Sequence, residues 1–193
     1  MTATSQPQSL ILPDDEHNRT LVGHAHPSRY KFTHAADAMA CVVLHNALFF
    51  GRKRASALVV PWATYTDPEV AHVGLPASDA EGRGDAVTTL TVPLSKIDRA
   101  VLDDESEGFA RVHADQRRGT ILGATMVARH AGEMIGEIAV AMRAGIRLGA
   151  IGQTIHPYPT QSEAWKRLGD EWNKTRLTPG VRTFLRSLLR WRR

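Results

Sequence analysis

Apolar residues recur at helical spacing across residues 30–50, where Ala35, Ala36, Met39, Val42, Val43 and Ala47 form one face and Thr33 stands where a cap is expected. From residue 57 the rhythm changes. Residues 57–66 read as extended, and Asp67-Pro68 marks a turn before a second short extended piece over 69–75. A short polar helix or turn starts at Asp79 and stops at Gly82-Arg83-Gly84, and residues 86–97 form a strand that includes Val87, Leu90, Val92 and Leu94. Two more strands, 108–114 and 120–129, flank Asp115-Gln116-Arg117-Arg118-Gly119, a spacing that predicts a hairpin with Gly119 in its turn. The clearest helix covers 132–148, with Met134, Ile135, Ile138, Ala139, Met142 and Ile146 on one side. Its acids, Glu133 and Glu137, lie near the start, and Arg143 and Arg147 lie near the end, as the helix dipole favours. Thr160-Gln161-Ser162-Glu163 has the spacing of a capping box and predicts a last core helix over 162–174. Pro179-Gly180 then interrupts the chain before a basic, amphipathic end.

A helix, a run of antiparallel strands and then two helices define an α+β order, with four or five strands flanked by helices on one side. The 193 residues suit one domain with extensions, and 42% hydrophobic with 23% charged residues is a globular composition. No apolar run approaches the roughly 20 residues that span a bilayer, and residues 1–13 lack the pattern of a secretory signal, so a cytoplasmic location is expected. Residues 1–28 are polar and aperiodic and are expected to be poorly ordered.

Charge and cysteine narrow the chemistry. The net charge of +4 belongs to the tail: after Glu171 come Lys174, Arg176, Arg182, Arg186, Arg190, Arg192 and Arg193 and no acid. That tail also carries Val181, Phe184, Leu185, Leu188 and Trp191. It either packs its apolar stripe on the domain, which is the favoured expectation, or binds an anionic membrane surface or nucleic acid. Cys41 is the single cysteine, so an intrachain disulfide is excluded, and its apolar helical setting predicts a buried, inert thiol. His24-Ala25-His26 is a loose pair that implies no third ligand, these two and His34 read as surface histidines, and no metal site is expected.

Four blocks carry a family resemblance in the correct order. They are Tyr30-Lys31-Phe32-Thr33-His34-Ala35-Ala36, the stretch 61–74, the stretch 123–137 with Ala131-Gly132-Glu133-Met134-Ile135, and Thr154-Ile155-His156-Pro157-Tyr158-Pro159-Thr160-Gln161-Ser162-Glu163. Together they resemble the C-terminal interface end of the pyridine nucleotide-disulfide oxidoreductases, nearest the mercuric reductase-like and dihydrolipoamide dehydrogenase-like flavoproteins. The resemblance implies a remnant helix of the FAD domain over 29–56, a dimerisation domain over 57–174 and a basic tail over 175–193. It also implies a homodimer, or pairing with a full-length flavoprotein relative, with no nucleic-acid partner expected. By the same resemblance Thr33, His34 and Ala35 are the flavin-proximal positions, and Tyr158 and Glu163 are the catalytic positions, working in trans on a partner's flavin site.

In such a family the residue before Pro-Thr is usually a histidine acting as general acid and base, oriented by the glutamate. Here Tyr158 takes that place, and a phenol with a pKa near 10 is a poor proton shuttle at neutral pH. His156 is not the matched histidine. A structural reading stands beside the catalytic one: Glu163 as a capping residue, and Tyr158-Pro159 as a conformational lock at an aromatic-proline bond prone to cis. No Gly-x-Gly-x-x-Gly follows a strand, and one cysteine cannot form a redox pair. FAD, the family's cofactor, is therefore not expected on this chain alone. The expectation is a dimerisation module from a truncated chain, not catalytically competent by itself, or alternatively a subunit completing a partner's site.

Overall fold

A five-stranded antiparallel sheet forms the centre of the computed structural model, which describes residues 30–177 and 179–191. The disorder expected over 1–28 lies outside the described residues. The chain divides between Val60 and Pro61 into two compact units.

The first unit is built on α1 (Thr33–Phe49), which ends at Phe50 with φ of 50°. Ala35 and Met39 join Val60 in a small core, packed against Tyr30, Phe32, Ala55 and Leu58. Two expectations fail here. Thr33 is the first helical residue and not the cap; Phe32 holds the extended cap position with no side-chain hydrogen bond. Cys41 is exposed, because it follows the buried Met39 by two residues, and two helical steps of 100° turn it to the opposite side. The strand expected over 57–66 is also shorter, since Ala55–Ala57 forms a turn of 3-10 helix.

The second unit starts with β1 (Trp62–Thr64) and β2 (Glu69–Gly74), then α2 (Ala77–Glu81), β3 (Val87–Pro93) and α3 (Asp98–Leu102). It continues with β4 (Phe109–Asp115), β5 (Ile121–Ala128), α4 (Ala131–Ala144), α5 (Leu148–Gln153), α6 (Glu163–Thr175) and α7 (Pro179–Trp191). Sheet order is β1-β2-β5-β4-β3, with every neighbouring pair antiparallel. The expected hairpin joins β4 and β5, and Gly119 has φ of 69°, the left-handed region its turn requires.

Register decides which face is buried. Ala71 pairs Met126, and Val112 pairs Ala124, so Ala71, Val73, Ala110, Val112, Ala114, Ala124, Met126 and Ala128 share one face and are buried. Helices α4 and α6 pack against this sheet, contributing Ile135, Ile138 and Ala141 from one and Trp165, Leu168 and Trp172 from the other. Trp165 Nε1 donates to the Met134 carbonyl at 3.2 Å, which locks the two helices together. A buried side chain of this size is worth about 1.5–3 kcal/mol, whereas an exposed pair such as Lys174–Glu171 contributes about 0–1. The apolar layer therefore sets the stability. The opposite face is polar: Thr89 contacts His113 Nδ1 at 2.8 Å, and Thr125 contacts His72 Nδ1 at 2.9 Å.

The helix expected over 132–148 is interrupted. Gly145 ends α4 with φ of 69°, and Arg147 then bridges to Thr120 before α5 begins. At the other end the Gly132 amide donates to Glu69 Oε2 at 3.0 Å, so a strand carboxylate satisfies the helix N-terminus. No helix among the described residues is long and apolar enough to cross a membrane.

Candidate functional site

The loop between α5 and α6 carries the motif singled out in the sequence. It is anchored at both ends. Thr154 Oγ1 donates to the Ala150 carbonyl at 3.1 Å, and Thr160 Oγ1 donates to the Pro157 carbonyl at 2.8 Å. His156 Nε2 lies 3.0 Å from Glu137 Oε1, and His156 Nδ1 lies 3.1 Å from the Thr154 carbonyl. The imidazole thereby ties the loop to α4, and its side chain is almost wholly buried. The Tyr158-Pro159 peptide is cis, as the aromatic-proline pairing anticipates.

Tyr158 projects from this loop, 71% exposed, yet its phenol is held: the hydroxyl donates to Asp98 Oδ2 at 2.9 Å. Asp98 opens α3, 60 positions away in the chain. That hydrogen bond, followed by the negative charge of Asp98, holds the phenol above its ordinary range; slight burial and Glu163 act in the same sense and Arg167 opposes them. The phenol stays a neutral hydrogen-bond donor throughout the physiological range.

Glu163 does not form a capping box. It is the first residue of α6, the preceding Ser162 makes no side-chain cap bond, and the Thr160 hydroxyl is engaged by Pro157 and by Ser162 Oγ at 3.0 Å. Glu163 Oε1 instead accepts from Arg167 Nε at 3.1 Å, one turn along the same helix. Arg167 Nη2 continues to Asp98 Oδ1 at 3.6 Å. Tyr158, Asp98, Arg167 and Glu163 are thus a chain of contacts, which links Tyr158 to Glu163 through the two residues between them. Glu163 Oε2 is buried without a hydrogen-bond partner.

Arg167 was recoverable from its i, i+4 spacing to Glu163; Asp98 left no local signal. Beside the loop lies a cavity of about 580 Å³, which Pro159, Thr160, Gln161 and Ser162 line with Arg99, Glu105 and Arg129 among others. Glu105 fixes its wall, accepting from Gln161 Nε2 at 3.0 Å and pairing with Arg129.

Thr33, His34 and Ala35 belong to the first unit. Ala35 is buried in its core, while Thr33 and His34 are exposed, and the His34 ring stacks on Phe32 at 5.3 Å. Among the described residues no group of three or more His, Cys, Asp or Glu is arranged to hold a metal ion.

Comparison with known proteins bears on both fold and loop. Residues 60–168 match the family described as the pyridine nucleotide-disulphide oxidoreductase dimerisation domain. A dihydrolipoyl dehydrogenase of Chlamydia muridarum is 33% identical over 161 residues, which cover 80% of this chain and 34% of that protein. A mercuric reductase of Bacillus cereus is 32% identical over 136 residues, 70% of this chain and 22% of the relative. In fold, the HOCl-induced flavoprotein disulfide reductase of Escherichia coli superposes with a TM-score of 0.67 at 23% identity, covering 74% of this chain and 33% of that one. The chain therefore spans between 22% and 34% of the length of these proteins.

Proposed function

Because the chain belongs to the pyridine nucleotide-disulphide oxidoreductase family through its dimerisation domain, we propose that it acts as an interface module that pairs with a second copy or with a full-length flavoprotein relative. The observation that carries this reading is the loop of Tyr158. It carries an exposed side chain on a segment anchored by its own hydrogen bonds, with the ring in solvent and the hydroxyl fixed by Asp98. A group held that way is prepared for a surface that arrives from outside. Next to it, Ile155 is 94% exposed, and Val140 on the outer side of α4 is 65% exposed. The contact between Glu137 and His156 ties the loop to α4, the two elements that carry these exposed apolar side chains.

In this reading the module has no redox cycle of its own, since Cys41 is its single cysteine and no dithiol can form within the chain. FAD would be held by the residues of another molecule: nothing in this chain has the glycine-rich turn that carries a pyrophosphate. Tyr158 then presents its phenol oxygen, whose single proton is donated to Asp98, as a hydrogen-bond acceptor for the reacting region of the partner, and Glu163 with Arg167 supports the carboxylate that orients it. Thr33, His34 and Ala35 are the positions that would approach the flavin ring.

The test is the mass in solution together with the absorbance spectrum. A colourless species of twice 21.2 kDa is expected, and V140R should return it to a monomer without lowering its melting temperature. A parent chain that is monomeric at every concentration, or one that retains a stoichiometric flavin, overturns the proposal.

A further inference from the structure

Helix α7 leaves its described large apolar side chains exposed, where the favoured expectation packs the tail's stripe on the domain. Phe184 is 65% exposed, Leu189 64% and Trp191 83%, and Leu188 is more than a third exposed. Phe184, Leu188 and Trp191 follow the i, i+4, i+7 spacing of one helix side. Arg186 and Arg190 each come two residues after a member of that series, which turns them to the opposite side. No acidic residue follows Glu171, so nothing nearby in the chain neutralises this charge.

Each candidate occupant meets a different part of this pattern. A nucleic-acid backbone would use the arginines and leave three large apolar side chains in water. A second α7 packed on the apolar side would bring two cationic helices together. An anionic lipid surface matches both halves, taking the aromatic and aliphatic side chains into the acyl boundary and the guanidinium groups at the headgroups. The 13 residues of α7 extend about 20 Å, against the roughly 30 Å of a hydrocarbon core, so the helix lies along the surface and does not cross it.

We propose that α7 is a surface anchor for an anionic membrane, seated through Phe184, Leu188 and Trp191 and held by Arg186 and Arg190. This inference is independent of the pairing function and adds a location to it.

The experiment is co-sedimentation of the full chain with vesicles of phosphatidylcholine mixed with phosphatidylserine, against vesicles of phosphatidylcholine alone. The expected result is binding to the mixed vesicles, weakened by salt, with a blue shift in tryptophan emission that W191F removes. R186Q with R190Q should weaken partitioning by about fivefold per arginine. F184S with L188S should abolish it at unchanged charge. All these residues are exposed, so the variants should keep the parent's melting temperature, and a variant that does not is replaced by R186Q alone or L188S alone.

The proposal is overturned by failure to bind the mixed vesicles or by equal binding to neutral ones. It is also overturned if F184S with L188S reduces the mass in solution, which would make α7 a self-association surface. Retention on duplex DNA that persists in F184S with L188S, with no vesicle binding by the parent, would instead assign the helix to nucleic acid.

Discussion

Tyr158 and Asp98 are separated by 60 positions in the chain and by 2.9 Å in the fold, and their pairing has a spectroscopic consequence. The hydrogen bond to a carboxylate, and then the carboxylate's charge, favour the neutral phenol. D98N removes the charge at nearly constant shape, so the Tyr158 phenolate should appear at lower pH than in the parent, read as its absorbance change with Y158F as the blank. An unchanged titration would show that Asp98 does not hold the phenol. The sign for stability is that of a raised pKa: the contribution is present below about pH 10, the ordinary value, and is lost as pH rises through the raised one.

His113 works in the opposite sense. It is 1% exposed, its Nε2 is buried without a partner, and burial, followed by Arg111 and His72, lowers its pKa. A depressed pKa gives stability that is present above about pH 6.5 and is lost as pH falls through the lowered value. H113L should therefore flatten the fall in melting temperature between about pH 7 and pH 4 relative to the parent.

Much of this residue-scale chemistry could not be read from the chain. The i, i+4 pair of Glu163 and Arg167 is visible in the sequence, but the same Glu163 also completes a capping-box spacing. Only the engagement of Thr160 by Pro157 decides against the cap.

At the scale of elements, periodicity located the strands and the helices α1, α4 and α6 because each presents one apolar side to the core of its own unit. It failed where a single backbone conformation intervenes. The apolar series through Met142 and Ile146 continues past Gly145, yet the left-handed Gly145 stops α4, and Ile146 is 41% exposed. The short α3 was missed for a different reason: five residues give less than two turns of pattern, although they deliver Asp98 to the site.

Close approach of α5 and α6 is another property that hydrophobic spacing does not report. A methyl group on Gly169 would stand 2.7 Å from the Gly152 Cα and 2.7 Å from the Leu148 carbonyl. Alanine in an open helix position gains about 0.5–1 kcal/mol over glycine, but overpacking against backbone costs about 1–3 kcal/mol. Crowding decides the sign. G169A should lower stability, seen as a lower denaturant midpoint at unchanged slope, and a gain in midpoint would mean that the two helices can separate at little cost.

The molecule as a whole divides its tasks along the chain. Among the described residues the buried core of the second unit is supplied by residues between Ala71 and Trp172, and no described side chain of α7 is buried in it. Charge is distributed in the reverse way: residues 178–193 hold five arginines and no acid. The α+β order could be read from the sequence because a sheet with one buried face must alternate, and because α4 and α6 have to cover it. Where the tail sits could not be read, since an amphipathic stripe specifies that something covers it and not what. Deleting residues 178–193 separates the two levels. It removes five positive charges, which takes the net charge from +4 to −1, and the protein should pass from a cation exchanger to an anion exchanger at pH 7. The same deletion should leave the melting temperature and the mass in solution, corrected for the missing residues, at their parent values. A fall in melting temperature by more than a few degrees, which in a domain of this size is on the order of 1 kcal/mol, would show that α7 belongs to the core and does not extend from it.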